Sequence, residues 1–302
     1  MKDARILVTG PTGQVALPLA TTLARDNEVW GVARFKDEQA KQRLEQSGVK
    51  CVPVDLAAGD FAGLPTDFDY VLNFAVSHGG PDDTDRDMAI NAEATGLLMR
   101  HCRSAKAFLH CSSTAVYHPA GHHPLKETDP LGDSHRMWFA TYSVCKIAAE
   151  GVARTTALLE NVPTTIARLN VPYGDNGGWP AFHLEMILAD QPVPVHPDAP
   201  NLFNPIHDDD IVRQLDAMVE VARVPATIVN WGGSEQVSIE DWSTYLGELA
   251  GRQAKVAATD QTIGSVTIDT TKMHELVGET KVGWRDGFRR MVGALHPELL
   301  GR

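Results

Sequence analysis

Short β-branched runs alternate with longer stretches of helical apolar spacing through the first two thirds of the chain, and this alternation constrains the fold most. The runs occupy residues 5–8, 28–33, 49–54, 70–75, 108–112 and 164–169. Between them, residues 14–25, 36–46, 85–103 and 137–159 carry apolar side chains at helical intervals. Strands separated by helices pair in parallel, and right-handed crossovers place helices on both faces of the sheet. The expected fold is α/β, a Rossmann-type doubly wound parallel sheet.

The texture changes after Gly174. Asp175-Asn176-Gly177-Gly178-Trp179-Pro180 is turn chemistry, and four prolines between 191 and 200 exclude a helix interior. The expected division is therefore a dinucleotide-binding domain over 1–175 and a smaller C-terminal substrate-binding cap over 176–302, with a strand near 227–231 returning to the sheet. Helices are expected near 181–189, at 239–250 and after Trp284, and a strand near 266–268. No internal repeat interrupts this plan.

With 302 residues, 43% hydrophobic and 22% charged, the chain is long enough to bury a sizeable core. Its 39 acidic against 27 basic side chains give a formal charge of −12, and no basic patch interrupts it, so nucleic acid and anionic membranes are not expected partners. Cys51, Cys102, Cys111 and Cys145 fall singly in apolar segments, which reads as reduced thiols in a cytoplasm. The opening residues do not read as a signal peptide, so export is not expected, and no run of ~18 apolar residues occurs in the sequence. A soluble cytoplasmic protein acting on a small molecule is expected.

The turn Gly10-Pro11-Thr12-Gly13-Gln14-Val15-Ala16 follows the first strand and opens the first helix. Gly10 permits a tight turn, and Gly13 lets the backbone approach a pyrophosphate resting at the helix N-terminus. Gly10, Thr12, Gly13, Gln14 and Val15 are thus candidate dinucleotide contacts. At the end of the second strand, where a carboxylate would accept from a ribose hydroxyl, the chain reads Ala33-Arg34-Phe35-Lys36. Arg34 can pair with a 2′-phosphate through its planar fork, so NADP(H) is favoured and NAD(H) remains possible. A solvated loop charge is the competing reading of Arg34. Asp55 and Leu56, ending the third strand, would sit beside the adenine, and Asp55 reads equally well as a turn or cap residue.

Tyr142 and Lys146 stand at i and i+4 and project from one helical face. A phenol with a pKa of about 10 is a poor base at neutral pH. Positive charge from Lys146 and from an oxidised nicotinamide would lower it, making Tyr142 the proton-transfer group. Ser113, in the Ser112-Ser113-Thr114 run, could hold the substrate oxygen within its reach, and Lys146 could also bind the nicotinamide ribose.

Together these motifs resemble the extended short-chain dehydrogenases/reductases of the NAD-dependent epimerase/dehydratase family, over nearly the whole chain. The resemblance adds Asn73-Phe74-Ala75, Asn91, Ser112 through Tyr117, Arg168 through Gly174, and Pro205 through Asp210. It implies that Ala75 touches the cofactor, and that Ser113, four residues before the tyrosine of Val116-Tyr117, is the catalytic hydroxyl. It implies a homodimer through the helices at 85–103 and 137–159. Where sugar-nucleotide dehydratases of the family carry an Asp-Glu pair, this chain has Thr114-Ala115, and it therefore lacks their acid and base. Where many nucleotide-sugar enzymes place an arginine on the substrate diphosphate, it has Phe203.

His78, Asn170, Trp179 and His183 are candidate substrate contacts, with a plain turn at 78–81 and core packing of Trp179 as alternatives. His118, His122 and His123 cluster in one loop, but no Cys or carboxylate pair completes a zinc set, so no metal is expected. The leading expectation is an oxidoreductase interconverting a secondary alcohol and a ketone or aldehyde. The alternatives are a nucleotide-sugar epimerase with retained NAD and, from another class, a non-catalytic redox sensor, against which the Tyr142/Lys146 pair argues.

Overall fold

The computed structural model describes residues 1–78 and 83–301. Six strands follow the runs read from the sequence: β1 (Arg5–Thr9), β2 (Glu28–Ala33), β3 (Lys50–Pro53), β4 (Tyr70–Asn73), β5 (Ala107–Ser113) and β6 (Thr164–Leu169). Short strands β7 (Pro172–Gly174), β8 (Gly177–Gly178), β9 (Val193–Val195), β10 (Leu202–Phe203) and β11 (Ile206–His207) precede β12 (Thr227–Trp231). The main sheet has seven strands in the order β12-β6-β5-β4-β1-β2-β3, and every pair in it is parallel. The order reverses at β1 and β4, so a crevice opens beyond their carboxyl ends, where α/β sheets bind ligands.

The helices are α1 (Ala16–Leu23), α2 (Glu38–Gln46), α3 (Thr84–Met88), α4 (Ala94–His101), α5 (Tyr142–Glu160), α6 (Trp179–Leu188), α7 (Asp208–Glu220), α8 (Ile239–Ala250), α9 (Thr271–Val277), α10 (Trp284–Leu295) and α11 (Pro297–Leu300). Strands β5 and β6 are buried at every position, as a sheet covered on both faces requires. One face packs Ile6, Val8, Leu19, Ile211 and Leu215 together. The other packs Leu7, Val71, Leu98, Ala153 and Ile166. A third core, around Phe203, Trp242, Leu246 and Phe288, belongs to the C-terminal region. Each such side chain contributes roughly 1.5–3 kcal/mol on burial. Beyond residue 175 the chain enters both bodies, because β12 pairs with β6 and Met273 and Val277 of α9 join the sheet's core.

Three elements depart from the sequence reading. The helical stretch 85–103 is divided by a π-helical turn, Ala89–Glu93, where the Asn91 amide bonds both the N–H and the carbonyl of Ser77. The pattern over 137–159 becomes helix only at Tyr142, because the rings of Trp138 and Phe139 turn toward Trp179, His78 and Tyr142. No strand forms near 266–268: the Val266 carbonyl accepts from Asn170 and the Ile268 N–H donates to Asn204, leaving a single bridge to Leu125.

Candidate active site

The glycine turn is shaped by contact as much as by conformation. Gly10 has φ +64°, and a Cβ there would meet Ala75 Cα at 2.9 Å. Such an approach requires glycine. Thr9 holds the two strand ends in place, its hydroxyl donating to Asn73 at 2.7 Å and accepting from the Ala75 N–H at 2.9 Å. A Cβ on Gly13 would crowd the Gly10 carbonyl at 3.2 Å, so the backbone stays bare at both glycines. The result is a bare peptide cradle before α1, suited to an anionic pyrophosphate.

A cleft of about 370 Å³ runs from this cradle, and Gly10, Thr12, Gly13, Arg34, Asp55, Leu56 and Ala75 all line it. The residues fit a dinucleotide: bare backbone at one point, Arg34 and Lys36 at the end of β2, and apolar Leu56 and Ile90 along the wall. Asp55 acts as a cap, accepting from the Ala57 N–H, and pairs with Arg86 at 2.9 Å. Arg86, together with the Ala57 bond, holds its carboxyl below the usual range. Gln14 and Val15 do not line the cleft. Gln14 donates from its side-chain amide to Asp208 at 3.3 Å and its backbone carbonyl accepts from Asn176, while Val15 packs against the sheet's core. Lys36 and Arg86 went unremarked in the sequence; the basic cluster Arg34-Phe35-Lys36 was the available signal for the first.

At the other end, α5 presents Tyr142 and Lys146 beside the end of β5. The Ser113 hydroxyl stands beside the Tyr142 phenol, where it favours the phenolate, and accepts from the Ala115 N–H at 3.1 Å. Ser112 points away, donating to Glu150 at 2.6 Å. Glu150 in turn forms a buried two-point pair with Arg168 at 2.9 and 2.7 Å. Lys146 is buried, its ammonium donating to the Cys111 carbonyl at 2.7 Å and lying 5.9 Å from the Tyr142 ring centre. The lowered Tyr142 pKa is expected from Lys146 together with an oxidised nicotinamide; among the chain's own groups, burial outweighs any lowering. Burial pushes the phenol up to about 12, with the Ser113 hydrogen bond pulling the other way.

The rings around Tyr142 are those of His78 at 5.0 Å, Phe139 at 5.9 Å and His135 at 6.2 Å. His78 is thus brought to the reacting group; the turn expected across 79–81 lies outside the described residues. Three other candidates are committed elsewhere. Asn170 is buried, donating to Thr114 and Val266 and accepting from the Asn204 N–H. His183 accepts from the Trp242 indole at 2.8 Å inside the cap, where burial lowers its pKa to about 4. Trp179 packs edge-on against Trp138, Phe203 and Trp242. Asn170 thus has its amide bonded within the protein, and His183 and Trp179 stand among the aromatic rings of the C-terminal core. His135 and Phe139 were missed, carried by a segment that reads only as the approach to α5.

His123 pairs with Asp129 at 3.0 Å and His122 lies 3.3 Å from the Asp198 carbonyl. Among the described residues no group of three His, Cys, Asp or Glu side chains is arranged to hold a metal ion.

The chain is similar to the uncharacterised UDP-glucose epimerase YtcB of Bacillus subtilis, at 23% identity over 96% of this chain and 98% of that protein. Its fold matches the UDP-glucuronic acid 4-epimerase of Bacillus cereus, solved with UDP-glucuronic acid and NAD, with a TM-score of 0.84, 22% identity and coverage of 97% and 99%. It matches the UDP-glucose 4-epimerase of Thermotoga maritima, solved with UDP-glucose, with a TM-score of 0.81, 18% identity and coverage of 98% and 99%. The model of the NAD dependent epimerase/dehydratase family matches residues 6–232. The glycine cradle at the sheet's switch point, the Tyr142/Lys146 helix and this match over most of the chain lead to one conclusion: the protein is an enzyme of the NAD dependent epimerase/dehydratase family, within the extended short-chain dehydrogenases/reductases.

Proposed function

We propose that the protein epimerises a secondary-alcohol carbon by oxidising it to a ketone and reducing it again, with Tyr142 moving the proton. The observation that carries this reading is the meeting of Tyr142, Ser113 and Lys146 beside the dinucleotide cleft. A bound nicotinamide dinucleotide supplies the hydride acceptor and, when oxidised, a positive charge. Ser113 orients the substrate oxygen toward the phenol, and Tyr142 takes its proton and later returns it. Lys146 anchors the end of β5 through the Cys111 carbonyl and would hold the nicotinamide ribose.

Net oxidoreduction, favoured from the sequence, becomes the second reading, because the similar proteins are named as UDP-sugar epimerases. Arg34 and Lys36 in the cleft speak for it, since two cations at the β2 end suit the 2′-phosphate of an exchangeable NADP(H). UDP-sugars are the first substrates to test. Phe203, packed against Trp179 and Trp242, offers no cation to their diphosphate, so another group must serve. The decisive experiment desalts the protein, measures retained dinucleotide, and follows UDP-sugar isomerisation alongside net coenzyme consumption. Retained coenzyme with isomerisation supports the epimerase, and stoichiometric consumption with a ketone overturns it.

The site of action we propose is the cytoplasm: all four cysteines are free thiols, three of them buried, and no helix among the described residues is long and apolar enough to cross a membrane. We also propose a homodimer through α4 and α5, where Leu97, Val144, Leu158 and Leu159 are 47%, 48%, 60% and 79% exposed.

A further inference from the structure

We propose that His135 reads a substrate hydroxyl near the reacting carbon, accepting its hydrogen bond at Nε2. The inference rests on the hydride-transfer reading above and assigns a specificity-determining residue to that site.

The argument is one of proton counting. The Ser134 hydroxyl has a single proton and lies 3.2 Å from the Ala115 carbonyl and 2.9 Å from His135 Nδ1; we assign the proton to the carbonyl, which cannot itself donate. Its contact with His135 Nδ1, at 2.9 Å, must then be one in which Ser134 accepts. Nδ1 therefore carries the ring proton, and the neutral imidazole keeps a lone pair on Nε2. Burial keeps the ring neutral, lowering its pKa to about 4. No described residue hydrogen-bonds Nε2, and the ring stands 6.2 Å from that of Tyr142. An acceptor beside the proton-transfer group calls for a donor on the substrate, and a hydroxyl is the donor that a polyol presents. Phe139 and His78 add two ring faces at 5.9 and 5.0 Å from Tyr142, against which the apolar face of a cyclic substrate can lie.

The backbone holds this arrangement. Ala115 lies two residues beyond Ser113 and donates its N–H to the Ser113 hydroxyl. Ser134 therefore ties the His135 ring to the same short turn that places Ser113, so hydroxyl reader and substrate-oxygen holder move together.

Two measurements test the inference. Nitrogen NMR of histidine-labelled protein should show His135 neutral at pH 7 with its proton on Nδ1, a preference weakened by Ser134→Ala. An imidazolium, or a proton on Nε2, would overturn it. The second measurement is single-turnover reduction of bound coenzyme by UDP-glucose and its 2-, 3- and 6-deoxy analogues. Wild type should lose about tenfold or more with one analogue, the weight of one neutral hydrogen bond. His135→Phe should erase that discrimination and His135→Gln, which keeps an acceptor, should restore part of it. Discrimination unchanged in His135→Phe sinks the inference while leaving the hydride-transfer reading intact. Failure of every sugar to reduce the coenzyme counts against that reading instead, and the NMR result still decides the acceptor state of His135.

Discussion

Tyr142 faces two opposing influences, burial that favours the neutral phenol and a Ser113 hydrogen bond that favours the phenolate. Tyr142→Phe keeps the ring contacts with His78 and Phe139 and removes only the hydroxyl. Turnover should fall roughly 10²- to 10⁴-fold with dinucleotide affinity nearly unchanged, as steady-state rates and a coenzyme titration would show. Ser113→Ala should lower turnover as well. Ser112→Ala should act chiefly on stability, because the Ser112 hydroxyl serves Glu150 rather than Tyr142; comparing rates with melting temperatures separates the two. Arg34 makes a different test. On the second reading, net oxidoreduction with NADP(H), a charge-assisted contact of about 1.5–3 kcal/mol should give a preference for NADPH over NADH of one to two orders of magnitude, lost in Arg34→Ala. Equal binding of both coenzymes by wild type removes Arg34 from coenzyme choice.

Among the elements, the β1–α1 turn depends on an atom that is not there. Gly10→Ala must push its methyl into the Ala75 backbone at 2.9 Å while adopting φ +64°, and no rotamer relieves either strain. Dinucleotide binding should drop steeply, measurable by calorimetry, while circular dichroism stays close to wild type. The pairing of α4 with α5 follows the same logic, since a Cβ on Gly96 would lie 2.6 Å from Val152. The outer face of these helices carries Leu97, Val144 and Leu158. Leu158→Glu should shift sedimentation equilibrium toward the monomer, and a wild type that sediments as a monomer throughout would dismiss the proposed dimer.

For the molecule as a whole, a cluster of acids gathers at the start of α7. Asp208 is buried near Asp175 and Asp209, and desolvation, reinforced by those two charges, raises its pKa to about 8. A carboxyl with an unfolded pKa of about 3.9 then binds its proton more tightly when folded, so stability declines as pH rises from about 4 and levels above about 8. Asp208→Asn, which cannot ionise, should melt higher than wild type at pH 8 and show a smaller fall between pH 5 and pH 8. An unchanged pH profile would refute the assignment. The parallel sheet, the alternation of strands and helices along the chain, the glycine turn and the Tyr142/Lys146 pair were legible in the linear chain, because each rests on local periodicity or on residues within one turn of one another. The break at Asn91, the missing strand near 266–268 and the internal hydrogen bonds of Asn170 and His183 were not. Each depends on hydrogen bonds between residues far apart in sequence, as when Asn204 accepts the Ile268 N–H or Trp242 donates to His183. Local pattern determined which elements form; which polar groups remain available for a substrate was decided only when the tertiary structure had spent the rest on itself.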